Sequence, residues 1–145
     1  MIELKAMESG DLEGCSNIDK ERFPISSYSI KFFRICLNSP SEKVITLKKD
    51  GILIGYIMFS LVLDEGEIYH LAVTETEEGQ GYGNALLSEA HSYLKSKGVK
   101  YCFLEVRKSN TRAKNLYQKN GYLTYRIRRN YYGNNEDAYC MKKGL

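Results

Sequence analysis

The apolar positions of this chain change their spacing several times, and each change marks an element. Over Met1–Met7, Ile2, Leu4 and Ala6 alternate with charged residues, which predicts a first strand. Ser9 or Asp11 can then cap a helix carrying Leu12, Cys15 and Ile18 on one face. Phe23-Pro24-Ile25 breaks it, and a second helix over Ser29–Leu37 presents Ile30, Phe33 and Leu37. Val44–Leu47 and Ile52–Leu63 read as strands joined by Lys48-Lys49-Asp50-Gly51, where Asp-Gly is a strong hairpin signal. Asp64-Glu65-Gly66 makes another tight turn into an Ile68–Val73 strand. A helix opening at Asn84 carries Ala85, Leu86, Leu87, Ala90 and Leu94 on one face and runs to Lys97, with Gly98 as its C-cap. Tyr101–Val106 is a strand. Thr111–Lys119 is a short helix capped by Asn110 and stopped by Asn120-Gly121. Tyr122–Arg128 and Ala138–Lys142 are the last strands.

The order is therefore β-α-α-β-β-β-α-β-α-β-β. Short turns make the early strands antiparallel. The helical crossover sets strand 101–106 parallel to strand 68–73. The expectation is a mixed α/β sheet of about seven strands with helices on both faces, in one domain spanning residues 1–145.

Between strand 68–73 and its helix lies Glu78-Gly79-Gln80-Gly81-Tyr82-Gly83. Three glycines strip side chains from a strand-to-helix turn. Backbone N–H groups then face open space at a helix N-terminus, where the helix dipole favours an anion such as a pyrophosphate. The dinucleotide fingerprint fits poorly, because Gly81-Tyr82-Gly83-Asn84-Ala85-Leu86 ends in leucine and no repeated βαβ units accompany it. No P-loop motif occurs.

The net charge of +3 conceals an uneven distribution. Residues 1–100 hold 11 Lys/Arg and 15 Asp/Glu, a balance of −4, while residues 101–145 hold 10 and 3, a balance of +7. A basic C-terminal third suits nucleic acid or a polyanionic cofactor. The basic residues are dispersed and carry no nucleic-acid motif, so the cofactor is the better reading and no nucleic-acid partner is expected. Cys15, Cys36, Cys102 and Cys140 are scattered without a C-x-x-C, and two histidines give a zinc site little support. Reduced, buried thiols in a cytoplasmic protein are expected, although four cysteines could form two disulfides. The apolar stretch Ile52–Leu63 is too short to span a membrane, and no basic-plus-apolar leader opens the chain, so neither a membrane partner nor secretion is expected.

The glycine turn is followed by Leu104-Glu105-Val106-Arg107, Ser109-Asn110, Ala113, Leu116-Tyr117 and Gly121-Tyr122. With these segments the chain resembles the GNAT acetyltransferases over nearly its whole length. Their turn has the pattern Gln/Arg-x-x-Gly-x-Gly/Ala, which Gln80, Gly81, Tyr82 and Gly83 match in its second half, whereas Glu78 departs from its first place. A carboxylate beside phosphates is unfavourable unless it points to solvent. Arg128-Arg129-Asn130-Tyr131-Tyr132 with Glu136-Asp137-Ala138, and Phe23-Pro24-Ile25 to Tyr28, extend the resemblance to the N-terminal acetyltransferases, among them the bacterial enzymes that modify ribosomal proteins.

The resemblance implies acetyl-coenzyme A as cofactor, bound by the backbone at Gln80, Gly81, Tyr82, Gly83 and Asn84, by Leu71, Ala72 and Val73 along the strand, and by Asn110 and Tyr117. It implies Glu105 as general base and Tyr117 as the acid that protonates the departing thiolate. Tyr69 occupies a position used as a base in some members, or else belongs to the core. His70 alternates to the opposite face and reads as structural. Phe23, Pro24, Ile25, Tyr28, Tyr131 and Tyr132 become the walls that hold a protein or peptide N-terminus. Strand 68–73 is expected to splay from strand 101–106, admit the pantetheine arm and offer backbone N–H groups to the thioester carbonyl. An α-amine with a pKa near 7.7–8.0 is already about a tenth to a sixth unprotonated at pH 7, so attack needs only modest help and no acyl-enzyme. Two rivals remain at this stage: a GNAT enzyme for a small amine or a lysine side chain, and a silent acetyl-coenzyme A-binding module.

Overall fold

Two antiparallel pairings set the frame. β1 (Ile2–Ala6) lies antiparallel to β2 (Glu42–Lys49), and β2 to β3 (Ile52–Val62), in a computed structural model that describes residues 1–145. Asp50 and Gly51 both take positive φ, 51° and 83°, the conformation that a two-residue hairpin turn needs to match strand twist. The next turn falls at Leu63 and Asp64 rather than over Asp64-Glu65-Gly66, with Leu63 at φ 57°. Glu65 and Gly66 already belong to β4 (Glu65–Val73). Gly66 packs directly under α3, where a Cβ would lie 2.9 Å from Leu94 Cδ1 and oblige that side chain to shift.

A crossover through α3 (Tyr82–Ser96) brings β5 (Tyr101–Arg107) parallel to β4. β6 (Leu123–Arg128) and β7 (Ala138–Gly144) finish the sheet in the order β1-β2-β3-β4-β5-β7-β6, antiparallel except at β4–β5. The seven-stranded mixed sheet read from the sequence is thus the observed one.

Helices cover both faces. α1 (Leu12–Arg22) and α2 (Ile30–Cys36) close a core of Met7, Cys15, Ile18, Phe33, Cys36, Val44, Tyr56, Met58 and Ala72. α3 and α4 (Thr111–Lys119) close the larger core on the other face, where Ile57, Phe59, Ile68, Leu86, Leu87, Leu94, Leu104 and Tyr117 pack. Each such aliphatic or aromatic side chain contributes about 1.5–3 kcal/mol when fully buried. All four cysteines are buried and unpaired. Burial pushes the thiols of Cys36 and Cys102 up to about 11 and that of Cys15 to about 12, so they remain protonated and inert at neutral pH.

Three local readings change. Asp11 stands at the N-cap of α1, but its carboxylate accepts from the Glu8 N–H at 3.0 Å and closes the short 3-10 turn before the helix instead. In α2 it is Phe33 and Cys36 that are buried, while Ile30 is partly exposed. α3 begins at Tyr82 rather than Asn84, because Gly81 at φ 85° already turns the chain into the helix and its carbonyl accepts from Ala85 N.

The β4–β5 pairing ends at Ile68↔Leu104, so the two strands separate where both continue toward their C-terminal ends. β4 keeps β3 as its partner through Val73. Gly55 secures that contact, since a Cβ there would lie 2.8 Å from the Ala72 carbonyl oxygen and 3.3 Å from Leu86 Cδ1. Gly55→Ala is therefore expected to destabilise the fold by about 1–3 kcal/mol, as overpacking does. Gly10→Ala, with nothing within 4 Å, serves as its control. Urea unfolding followed by circular dichroism measures both, and equal midpoints would contradict the close approach.

Candidate active site

The departure of β5 leaves one side of β4 without a strand partner. Thr74 N donates to Ile54 O on β3 at 2.8 Å. Strand alternation then turns the N–H groups of Leu71 and Val73 the other way, into the gap. Two clefts meet there. The first, of about 700 Å³, is lined by Leu71, Ala72, Val73, Glu78, Gly79, Gly81, Tyr82, Gly83, Asn84, Asn110 and Tyr117 among others. The second, of about 590 Å³, is lined by Phe23, Pro24, Ile25, Tyr28, Tyr69, Glu105, Tyr117, Tyr131 and Tyr132. Phe23, Leu71, Asn110 and Tyr117 belong to both. Of the residues singled out in the sequence, only Gln80 does not line a cleft.

The first cleft ends on the N-terminus of α3. No side chain caps that helix, so its leading N–H groups are free to meet an anion. Gly79 and Gly81 take φ 79° and 85°, which L side chains rarely adopt. Space at Gly81 is open, so backbone conformation rather than crowding demands glycine there. Asn110 caps α4 by accepting from Ala113 N at 3.2 Å.

Glu78 does not point to free solvent. Its carboxylate is gripped by Arg22, from the end of α1, and by Arg112 Nη1, from the start of α4, at 2.7 Å. Arg112 also lies over the turn, its Nη2 3.7 Å from where a Gly79 Cβ would be. The two guanidinium groups outweigh the one carboxylate, so the lip of the cleft carries a net positive charge despite the departure from the family pattern. Neither arginine was singled out in the sequence, because the pairing joins residues 56 and 34 positions apart.

Tyr117 stands at the junction of the clefts and is 7% exposed. Burial raises its phenol above the ordinary value, so it carries its proton at neutral pH. Glu105 follows the last β4–β5 pair and lies 3.6 Å from Arg128 Nε. Tyr69 is partly buried against Tyr28 and Phe32, and burial raises its phenol too. Tyr132 stacks on the Arg107 guanidinium at 3.9 Å, and Tyr131 lies 5.0 Å from that of Arg128. The tyrosine loop is thus anchored to β5 through Arg107 and to β6 through Arg128.

His70 corrects the sequence reading. Met58 pairs with His70 and Phe59 with Ile68, which leaves Tyr69 as the extra residue of a β-bulge. The bulge cancels one alternation, and Tyr69 and His70 both turn toward α1 and α2. His70 stacks on Phe23 with ring centroids 3.7 Å apart, and its Nδ1 lies 2.6 Å from Asp19 Oδ1. Asp19 is fully buried and also accepts from the Tyr56 hydroxyl and from Tyr28 N, the latter at 2.7 Å. Asp19 escaped sequence reasoning, although a carboxylate four residues after Cys15, on the buried stripe of α1, is the signal that marks it.

A site that offers free helix-terminal amides, an N–H-lined strand gap and a protonated tyrosine is suited to thioester acyl transfer. Residues 11–122 match the Acetyltransferase (GNAT) family, and the chain belongs to that family. It is an acetyltransferase. It is similar to the putative [ribosomal protein bS18]-alanine N-acetyltransferase of Bacillus subtilis, with 32% identity over 95% of this chain and 92% of that one. It is also similar to the [ribosomal protein bS18]-alanine N-acetyltransferase of Haemophilus influenzae, with 38% identity over 72% and 75%. The crystal structure of the ribosomal-protein-S18-alanine N-acetyltransferase from Escherichia coli superposes with a TM-score of 0.88 at 31% identity, covering 100% of this chain and 94% of that one.

Proposed function

We propose that this enzyme transfers acetyl from acetyl-coenzyme A to the α-amino group of a protein or peptide N-terminus in the cytoplasm. The observation that carries the reading is the convergence of two aromatic walls from opposite ends of the chain. The Phe23–Tyr28 loop and the Tyr131-Tyr132 loop line one cleft, and that cleft opens onto the same strand gap as the cofactor cleft. A narrow aromatic cleft suits an extended backbone with one free end. The relatives' acceptor, an alanine N-terminus on a ribosomal protein, is the first candidate.

In this reading the pyrophosphate lies on the amides of Gly81 to Asn84. The pantetheine arm enters between β4 and β5, where Leu71 and Val73 N–H groups polarise the carbonyl. The amine attacks directly, assisted at Glu105 or Tyr69, and Tyr117 gives its proton to the departing sulfur. The buried cysteines take no part.

Four outcomes check it. Glu78→Gln removes a carboxylate from the phosphate lip and frees two arginines, so coenzyme A should bind about two- to fivefold more tightly. Gly81→Val should bind it far more weakly, because valine cannot hold the positive φ that aims the amides. Titration calorimetry measures both, and unchanged affinity in the folded Gly81→Val protein would remove this turn from the cofactor site. Tyr117→Phe should lower kcat on the order of 10²-fold with nearly unchanged cofactor affinity, and a wild-type kcat would exclude the acid role. A peptide with a free N-terminus and internal lysines should be acetylated at its first residue, as read by fragmentation mass spectrometry. Acetyl found on lysine, or only on polyamines and amino sugars, would overturn the proposal.

A further inference from the structure

Asp19 is a wholly buried carboxylate with no lysine or arginine beside it. The one group able to hold a positive charge against it is His70. Its other two partners, the Tyr56 hydroxyl and the Tyr28 N–H, are neutral donors. An acceptor-only carboxylate at 2.6 Å requires a proton on His70 Nδ1. Neutral His70 is then the tautomer whose Nε2 carries a free lone pair. Nε2 has no protein partner, and it is not among the buried polar atoms left without one. The ring lines the acceptor cleft beside Phe23 and Tyr28, with a side-chain exposure of 10%. The β4 bulge, the buried Asp19 and the Phe23 stack together hold one imidazole with its basic nitrogen open to the place where an amine must enter.

We propose that His70, polarised by Asp19, is a proton acceptor for the incoming ammonium group, acting on the acceptor side of the cleft while Glu105 lies on the β5 side. His70 Nε2 takes one proton from the ammonium, and the imidazolium is held by Asp19 in the manner of a hydrolase histidine and its aspartate. The freed nitrogen lone pair forms the C–N bond at the thioester carbonyl. The C–S bond then breaks, and the sulfur leaves with the proton of the Tyr117 phenol. The second proton shed by nitrogen restores that phenol through water, and the imidazolium returns its own proton to solvent. The balance is one ammonium and one thioester giving one amide, one thiol and one proton. This inference rests on the acceptor entering the aromatic cleft, as proposed above.

The other groups that face this site are limited. Tyr56 on β3 and Tyr28 beside α2 are raised by burial, Tyr28 up to about 12, and stay neutral through the range of the assay. Arg22 and Arg107 keep their charge throughout. On the β4–β5 side, loss of surrounding water and the Glu105 charge raise Glu67 above the ordinary carboxylate value, so Glu67→Gln and Glu105→Gln are measured alongside.

The test is the pH profile of kcat and KM for peptide, at saturating acetyl-coenzyme A, in wild type and His70→Asn. Asparagine can still donate from its amide to Asp19 and so keeps the loop anchored, but it cannot accept the proton. The loss in kcat at pH 7 should exceed the loss at pH 9 by about tenfold or more, since most α-amines are already free at pH 9. A rise in peptide KM at every pH with a parallel kcat profile would make His70 a positioning residue only and overturn the proposal, as would an unchanged profile. Nitrogen-15 spectra of the wild type provide a second reading that needs no variant. The chain has two histidines, and His91 is tied to the Tyr122 hydroxyl at 2.7 Å. Neutral His70 should show the Nδ1–H tautomer, and its Nε2 signal should move on adding coenzyme A and peptide. The opposite tautomer, or a signal that ignores the acceptor, would overturn the proposal. If wild type acetylates only lysine or a small amine, the function proposed above fails, and the His70 comparison is read on that acceptor instead.

Discussion

The structure depends on one interruption. β4 and β5 are hydrogen-bonded as parallel neighbours only as far as Ile68 and Leu104, and beyond that point the sheet opens. Parallel strands normally bury both faces and both edges, so an internal gap leaves main-chain donors without partners. Here the gap is held open from both sides. β4 is fastened to β3 by the close approach at Gly55, and β5 is paired with β7 along its whole length. The N–H groups of Leu71 and Val73 are thereby left without strand partners, and in the reaction proposed above they would meet the carbonyl oxygen of the thioester.

The bulge at Tyr69 sits at the mouth of this gap and has a second effect. In a regular strand Tyr69 and His70 would face opposite sides. One inserted residue sends both toward α1 and α2, and Asp19 fixes the result. A single buried carboxylate thus ties β3, β4 and the loop between α1 and α2 into one unit through Tyr56, His70 and Tyr28. Removing it would leave three donors without their shared acceptor, which costs about 1–3 kcal/mol for each one that stays buried.

Charge follows the same logic. Arg107 and Arg128 lie under Tyr132 and Tyr131, and Arg112 crosses the glycine turn to Glu78. Some cations thus orient aromatic walls, one neutralises the Glu78 carboxylate, and Arg112 and Lys119 line the cleft that ends on the glycine turn.

Much of this was legible in the chain itself. Element order, the Asp50-Gly51 turn, the parallel crossover and the glycine turn follow from local periodicity, turn chemistry and motif spacing, because each depends on neighbours a few positions away, whereas the cleft residues came from the family resemblance, which left out Arg22 and Arg112. Three features did not follow. The Tyr69 bulge depends on the register between β3 and β4, which alternation along one strand cannot reveal. The Glu78 clamp depends on the ends of α1 and α4 arriving at one lip. The Asp19–His70–Tyr56 network joins residues 37 and 51 positions apart. Local sequence decides which elements form and in what order. Only packing decides which charges meet, because that is a property of distances between elements and not of positions within them.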